Sequence, residues 1–357
     1  MEHFDGTRFF APGVRLKTLG ELLRWQLLGE RKRWPARREI PPGPRPAPRV
    51  DGPGLTVTLV NHATVLLQVA GLNVLTDPVW AERASPLPFA GPRRVHAPGI
   101  AMDDLPPIDI VLISHNHYDH FDSRTLRQLA ERHHPLVIAP LGNGDLIARA
   151  MGGADARQDR AGQARARQAG ARRIVTLDWE QAHEIRPGVR VHCEPALHWS
   201  SRGLGDRNKA LWSAFSIVTP AGHIYFAGDT GFGDGSHFRE VARRHGPPAL
   251  ALLPIGAYEP RWFMAPFHMN PDEAVRAFGL LEARRAIAIH HGCFPLADEG
   301  IDEPVEALEA AFVQHGVSRE RFRVVRPGSA WTLPSLVDED TSGGELVSGS
   351  AVGCDSC

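Results

Sequence analysis

Lysine and cysteine are both scarce in this 357-residue chain. Lys17, Lys32 and Lys209 are its only lysines, so almost all of the positive charge is arginine, a bias of composition rather than of function. Four cysteines, Cys193, Cys293, Cys354 and Cys357, are too few and too unevenly placed for a disulfide framework, and a reducing compartment is the simpler expectation. No apolar run approaches the length of a membrane-spanning helix, and Met1-Glu-His-Phe-Asp lacks the basic and apolar regions of a signal peptide; the expectation is a cytoplasmic protein. A formal net charge of -1 provides no global field toward nucleic acid or membrane. There is also no Gly-x-Ser-x-Gly elbow and no Walker-type loop, which removes the corresponding hydrolase readings.

What is present is histidine, eighteen in all, and enough apolar sequence (43%) to bury a large core. The chain is organised around Ile108 to Asp122. Ile110 to Ile113 has the length and branching of a buried strand, and it ends abruptly in Ser114, His115, His117, Asp119 and His120. Imidazole nitrogen and carboxylate oxygen suit zinc and other divalent first-row metals, and alternate positions on an extended turn converge on one point. Asp119 and His120 are adjacent and must diverge from that point, which implies a second metal. A polar loop whose histidines face water is the alternative reading.

Further strand ends supply further candidates. Val189 to Glu194 runs into His198, a third imidazole for the first metal. Gly222 to Phe226 ends in Ala227-Gly-Asp229-Thr-Gly231, where the glycines permit close backbone approach and Asp229 could bridge two metals with its two oxygens. Ala286 to Ile289 ends in His290-His291; His290 leaves the strand directly and is chosen as the last ligand. Thr56 to Val60, Val65 to Val69 and Leu72 to Thr76 read as a β-meander. His62 and Asp77 lie at its strand ends, where each either braces the metal loop from behind or merely shapes a turn.

Three segments flank this domain of residues 51 to 335 or interrupt it. Residues 1 to 50 carry eleven Arg or Lys against five Asp or Glu, with Val14 to Leu28 near helical spacing, followed by an extended proline-rich connector. The helix either packs on its own domain or rests on an anionic membrane surface. Six arginines between Arg157 and Arg173 have no aromatic residue among them to stack bases, so the stretch 152 to 170 reads as a solvated arm. The acidic, Gly- and Ser-rich tail 336 to 357 is expected to be disordered, and its Cys354-x-x-Cys357 pair is only half a zinc site.

His115-x-His117-x-Asp119-His120, with His198, Asp229 and His290 in order behind it, resembles the metallo-β-lactamase signature. Phe4-Asp-Gly-Thr-Arg-Phe-Phe, Leu197-His-Trp, Phe226-Ala-Gly-Asp-Thr-Gly-Phe232 and Pro254-Ile-Gly-Ala-Tyr-Glu-Pro-Arg-Trp-Phe263 narrow the likeness to the N-acyl-phosphatidylethanolamine-hydrolysing phospholipase D group. The resemblance implies an α/β fold, the four-layer αβ/βα metallo-β-lactamase sandwich. It implies two Zn2+ per subunit, the same ligands also accepting Fe or Mn. His115, His117 and His198 would hold one ion, Asp119, His120 and His290 the other, with Asp229 between them. It places Arg202, Tyr258, Glu259 and His268 in the substrate pocket, with Asp119 and His268 as catalytic groups. His291 stands where the phospholipase has an aromatic residue. The implied reaction is attack of a metal-bound hydroxide on a phosphodiester, an N-acylethanolamine phospholipid or related lipid. The alternative is a soluble substrate, such as a sugar-phosphate lactone or cyclic phosphate. The expected partners are that substrate, peripheral contact with the inner face of the membrane, and a second copy in a homodimer. A nuclease is disfavoured by the near-zero charge.

Overall fold

Alternation of apolar residues with period two, restarting after each Gly- or Pro-marked turn, builds two sheets whose inner faces bury each other. In a computed structural model, residues 3–152, 173–203, 205–333 and 346–347 are described. The first sheet takes β1 (Leu55–Asn61), β2 (Thr64–Val69), β3 (Leu72–Thr76), β4 (Ile110–Leu112), β5 (Leu136–Pro140) and β6 (Ile174–Leu177). The second takes β7 (Ala182–Arg186), β8 (Val189–Glu194), β9 (Ala214–Thr219), β10 (Gly222–Phe226), β11 (Leu250–Pro254), β12 (Ala286–Ile289) and β13 (Phe322–Arg323). The chain then returns to the first sheet as β14 (Ala330–Leu333) and β15 (Leu346–Val347), giving the orders β15-β14-β1-β2-β3-β4-β5-β6 and β13-β12-β11-β10-β9-β8-β7.

The central strands divide their side chains between two cores. Ile110 and Leu112 of β4 meet Ile224 and Phe226 of β10 between the sheets, with Phe215, Leu252 and Trp331. Val111 and Ile113 point the other way, onto α2 (Ser123–His133) and α3 (Gly144–Met151), where Leu126, Leu129 and Ile147 close the outer layer. Tyr225 of β10 faces the opposite outer layer, formed by α4 (Ser236–His245), α6 (Pro271–Leu280) and α7 (Glu303–His315), through Phe238, Phe278 and Phe312. The result is the four-layer αβ/βα sandwich. A short helix, α5 (Arg261–Met264), lies in the loop after β11.

The parallel pairings position the site. β3 runs parallel to β4, and β10 to β11 and β12, so the carboxyl ends of these strands open on the same edge of their sheets. The loops that leave them carry the residues from Asp77 to His120, Asp229 and His290.

Several details differ from the sequence reading. The sequence pattern puts Ser123 as the N-cap of a helix from Arg124 to His133; instead α2 is capped by Asp122, whose carboxylate accepts the Arg124 N–H at 3.0 Å, and Ser123 is the first helical residue. Strands β6 and β7 were not expected; β7 is a solvent-facing edge with little apolar patterning to announce it. Two residues of the tail expected to be disordered, Leu346–Val347, pair by backbone with β14; the rest of 336 to 357, with Cys354 and Cys357, lies outside the described residues. The Arg-rich stretch 152 to 170 also lies outside them, apart from Gly152, which ends α3.

The amino-terminal helix, α1 (Leu19–Leu28), starts at a capping box in which Thr18 and Glu21 bond each other's backbone. It is held to the domain by Trp25, stacked on Phe263 at 4.8 Å and donating to Asp298 at 2.9 Å. Its leucines do not serve that contact: Leu19, Leu23, Leu27 and Leu28 are 50–79% exposed.

A core aromatic and an exposed helix leucine should therefore respond very differently to substitution. Phe215→Ala, at a position with no exposure, should cost about 3–5 kcal/mol in denaturant unfolding. Leu27→Ser should stay within about 0.5 kcal/mol of the parent.

Candidate metal centre

The centre begins with Asp77, which leaves β3 at φ 32° and is fully buried. Ser114 donates to it twice, through its N–H at 2.7 Å and its hydroxyl at 2.5 Å, and His120 donates through Nδ1 at 2.6 Å. The Ser114 hydroxyl in turn accepts from His115 Nδ1 at 2.9 Å. One carboxylate thus fixes the ring orientation and the tautomer of two histidines of the metal loop, leaving Nε2 of each as a bare lone pair. His198 is set the same way from another direction, its Nδ1 donating to the Phe267 carbonyl at 3.1 Å.

The freed nitrogens converge in two groups. His117 Nδ1 lies 2.9 Å from His115 Nε2 and 3.2 Å from His198 Nε2. Asp119 Oδ2 lies 3.3 Å from Nε2 of both His120 and His290. Asp229 joins the groups: its Oδ2 is 3.2 Å from Nε2 of His120 and of His290, 3.7 Å from that of His198 and 3.9 Å from that of His115. Four of the proposed ligands therefore meet around one Asp229 oxygen, with His117 and Asp119 one contact further out. Gly228 makes the approach feasible. It sits at φ 58°, and a Cβ there would stand 2.6 Å from that of Ser114.

The donor set fits divalent metal. Nε2 of His120 and of His290 is buried without a hydrogen-bond partner, as is Oδ1 of Asp229, and such orphans are costly unless a cation takes them. Burial pushes His117 and His198 down to about 4 and about 3, so both offer neutral lone pairs. For His290 burial opposes protonation, but Asp229 and Asp119 outweigh it and push the imidazole up to about 9. For Asp119 and Asp229 burial is outweighed by the facing histidines, His120 first, and both carboxyls are held well below the usual range. Concentrated anionic and imidazole donors of this kind are the environment of a hard or borderline dication.

The remaining candidates divide. His62, at φ 44° in the turn after β1, reaches Asp119 Oδ2 at 3.1 Å through Nε2 and packs with its ring centroid 4.1 Å from that of His290, so it braces the second group. His268 lines the other side, its Nδ1 3.9 Å from Asp229 Oδ2. Arg202 is engaged inside the metal loop, donating to the carbonyls of Asn116 and Phe121 at 2.9 and 2.8 Å and lying 3.9 Å from the Tyr118 ring centroid. Tyr258 and Glu259 line a cavity of about 470 Å³ under α1, with Trp25, Leu28, Trp262 and Glu299; none of the seven ligands lines it. His291 joins none of the clusters. Sequence reasoning missed Ser114, whose only signal was its place between strand and first histidine. It also missed Trp199, packed 4.4 Å from the His117 ring, and Glu299, which accepts the N–H groups of Ala257 and Glu259.

Comparison with known proteins decides the family. Residues 72–291 match the model of the "Beta-lactamase superfamily domain". The chain belongs to the metallo-β-lactamase superfamily. Within this superfamily it is 37% identical over 284 residues to "N-acyl-phosphatidylethanolamine-hydrolyzing phospholipase D 1" of Caenorhabditis elegans, covering 78% of this chain and 76% of that one. It is 39% identical over 301 residues to an uncharacterized protein of Mycobacterium tuberculosis, covering 81% and 73%. Among solved structures, the isothiocyanate hydrolase from Delia radicum gut bacteria superposes with a TM-score of 0.55 at 21% identity, over 77% of this chain and 98% of that one. Igni18, a metallo hydrolase from Ignicoccus hospitalis, gives 0.52 at 20%, over 78% and 98%. At such identities these two share the fold with this metallo-hydrolase of the superfamily.

Removing the brace behind the ligands should weaken metal binding without unfolding the chain. Asp77→Asn keeps the shape but loses acceptor strength toward Ser114 and His120, and should lower metal affinity about 10- to 100-fold in a chelator competition. Gly228→Ala should have a similar effect by displacing Asp229.

Proposed function

We propose that this chain is a dinuclear, zinc-dependent phosphodiesterase of the phospholipase D type, acting on an N-acylated ethanolamine phospholipid or a related lipid. The observation that carries the reading is the convergence of four imidazoles, His115, His120, His198 and His290, on Asp229 Oδ2, with His117 and Asp119 adjoining them, in a chain 37% identical to a phospholipase of that name. His115, His117 and His198 would hold one ion, Asp119, His120 and His290 the other, with Asp229 shared. When bound, such ions acidify water and offset charge on phosphoryl oxygens.

The chain's own groups do the rest. Water adds to phosphorus, the bond from phosphorus to the ethanolamine oxygen breaks, and that oxygen gains a proton. Asp119, gripped by His62 and His120, orients the incoming water through its carboxylate; held so far below the usual range, it is a better hydrogen-bond acceptor than a proton store. Burial pushes His268 down to about 3, so at neutral pH it presents a neutral imidazole that can donate an N–H to a phosphoryl oxygen or the leaving oxygen. Trp199 and Phe267 wall the histidine group and keep competing water away.

Access from a membrane is supported by α1. Its exposed leucines stand beside Arg24 and Arg31, and Arg24 lies 5.0 Å from the centroid of Trp262, itself 43% exposed. An apolar helix face edged with arginine suits an anionic lipid surface, and the cavity lined by Tyr258 and Trp262 opens beneath it. Among the described residues no helix is long and apolar enough to cross a membrane, so contact would be peripheral.

Two measurements test the reading. The metal-loaded chain should hydrolyse N-acylated phosphatidylethanolamine in vesicles, and Asp229→Ala should reduce kcat/KM at least about 10³-fold. Turnover of water-soluble esters only would overturn the lipid assignment. Leu19→Ser/Leu23→Ser/Leu27→Ser should lower activity on vesicles several-fold while leaving activity on a soluble short-chain diester unchanged.

A further inference from the structure

A second cluster of metal-type ligands lies away from the centre, on the outer face of the second sheet. β8 alternates: Val191 and Cys193 enter the core between the sheets, while His192 and Glu194 point outward toward the last turn of α4. There Glu194, with no exposure, meets His245 Nε2 at 2.7 Å through Oε1 and Arg244 at 2.8 Å through Oε2. The half-buried His192 ring packs against that of His245 with centroids 4.4 Å apart, tilted by 55°, and one ligand atom from each of His192, Glu194 and His245 lies within 4.8 Å of the others.

An ion-pair network is the simplest reason for such a cluster, and Arg244 already provides Glu194 with its counter-charge. It does not account for the imidazoles. His192 contributes no hydrogen bond to Glu194 yet packs against the one that does. A third ring, His223 on β10, stands 5.4 Å from His245 and is 4% exposed. Its Nδ1 faces the Gly246 carbonyl at 3.3 Å, and its buried Nε2 has no partner. That arrangement, a backbone carbonyl fixing one nitrogen and a bare lone pair on the other, is the one His198 has in the main centre. Burial and neighbouring His245 keep His192 below the usual histidine range, so its ring is a neutral donor beside Glu194 and His245.

We propose that His192, Glu194 and His245 form an additional site for a divalent transition metal ion, zinc by its donor set, that ties β8 to the carboxyl end of α4. Two imidazoles and a carboxylate with one open position are a recurrent zinc set, and the partial exposure of His192 leaves a path for the ion. The ion would replace the hydrogen bond between His245 and Glu194 Oε1, while Arg244 stays on Oε2 and orients the carboxylate. Its positive charge makes this site weaker than the main one. The segments it joins carry His198, four residues beyond Glu194, and Asp229, seven before the start of α4, so occupancy would stiffen the frame of the catalytic centre without entering it.

The test uses the full chain, stripped with chelator and re-equilibrated with micromolar zinc chloride. Bound zinc, counted by mass spectrometry, should be one equivalent lower in His192→Ala than in the parent, and zinc's upward shift of the melting temperature should shrink in the same variant. His192→Ala leaves the Glu194, Arg244 and His245 contacts in place, so it should fold; His245→Ala should give the same loss where it folds. Lipid hydrolysis by His192→Ala should match the parent. Equal zinc counts in parent and His192→Ala would overturn the proposal and leave an ion-pair network. So would an extra equivalent that disappears with Asp229→Ala instead.

Discussion

The centre depends on one buried carboxylate. Asp77 has no exposure and would be expensive to ionise there, and burial does raise its pKa. It is tolerated because three donors converge on it, each such hydrogen bond to a charged acceptor contributing about 1.5–3 kcal/mol. Those donors are Ser114 and His120, so the clamp that satisfies Asp77 also joins the end of β3 to the loop after β4 and orients the metal loop. The backbone bears some strain in return. Asp77, His62 and His290 all sit at positive φ, at about 1–3 kcal/mol each, and all three touch the centre.

Around that clamp the chemistry is one of mutual compensation. Neutral imidazoles gather where burial dominates, at His117, His198 and His268. Where Asp119 and Asp229 dominate, at His120 and His290, the imidazoles are drawn toward the protonated form. A dication satisfies both sets at once, which is why donors of such different character can share one small volume. The four-layer sandwich makes the volume available, since the parallel strands of both sheets end on the same edge and their cores leave the loops free to meet.

The periphery follows a different logic. The amino-terminal segment is bound by specific contacts along its length, among them Phe9 and Ala11 packed with Leu211 and Trp212, Trp25 against Phe263 and Asp298, Arg38 paired with Asp302, and Trp34 donating to the Glu299 carbonyl. Its leucines are left outside because the aromatic side chain, not the leucine stripe, finds a cavity to fill. Helical periodicity reveals that a stripe exists; it does not say which side of it meets protein. Trp25 and Asp298 also line the cavity containing Tyr258 and Glu259, so the helix and that cavity form one surface feature.

Much of this was legible in the sequence. The candidate ligands could be picked out because each follows an apolar run at a strand end, a local pattern that needs no tertiary knowledge, and because His-x-His-x-Asp-His has few other uses. The choice of His290 over His291 also followed from the strand boundary. Edge strands β6 and β7 were invisible because their half-exposed residues lack a sustained apolar face, and Asp122 was overlooked as a cap because serine competes for the same role one residue later. What the chain alone determined was the inventory: which donors exist and that strands deliver them. Only the tertiary structure decided their pairing, putting Asp77 behind His120, His62 behind Asp119, Arg202 inside the loop and His192 beside His245. Those contacts join residues far apart in sequence, and nothing local encodes which distant strand a side chain will face.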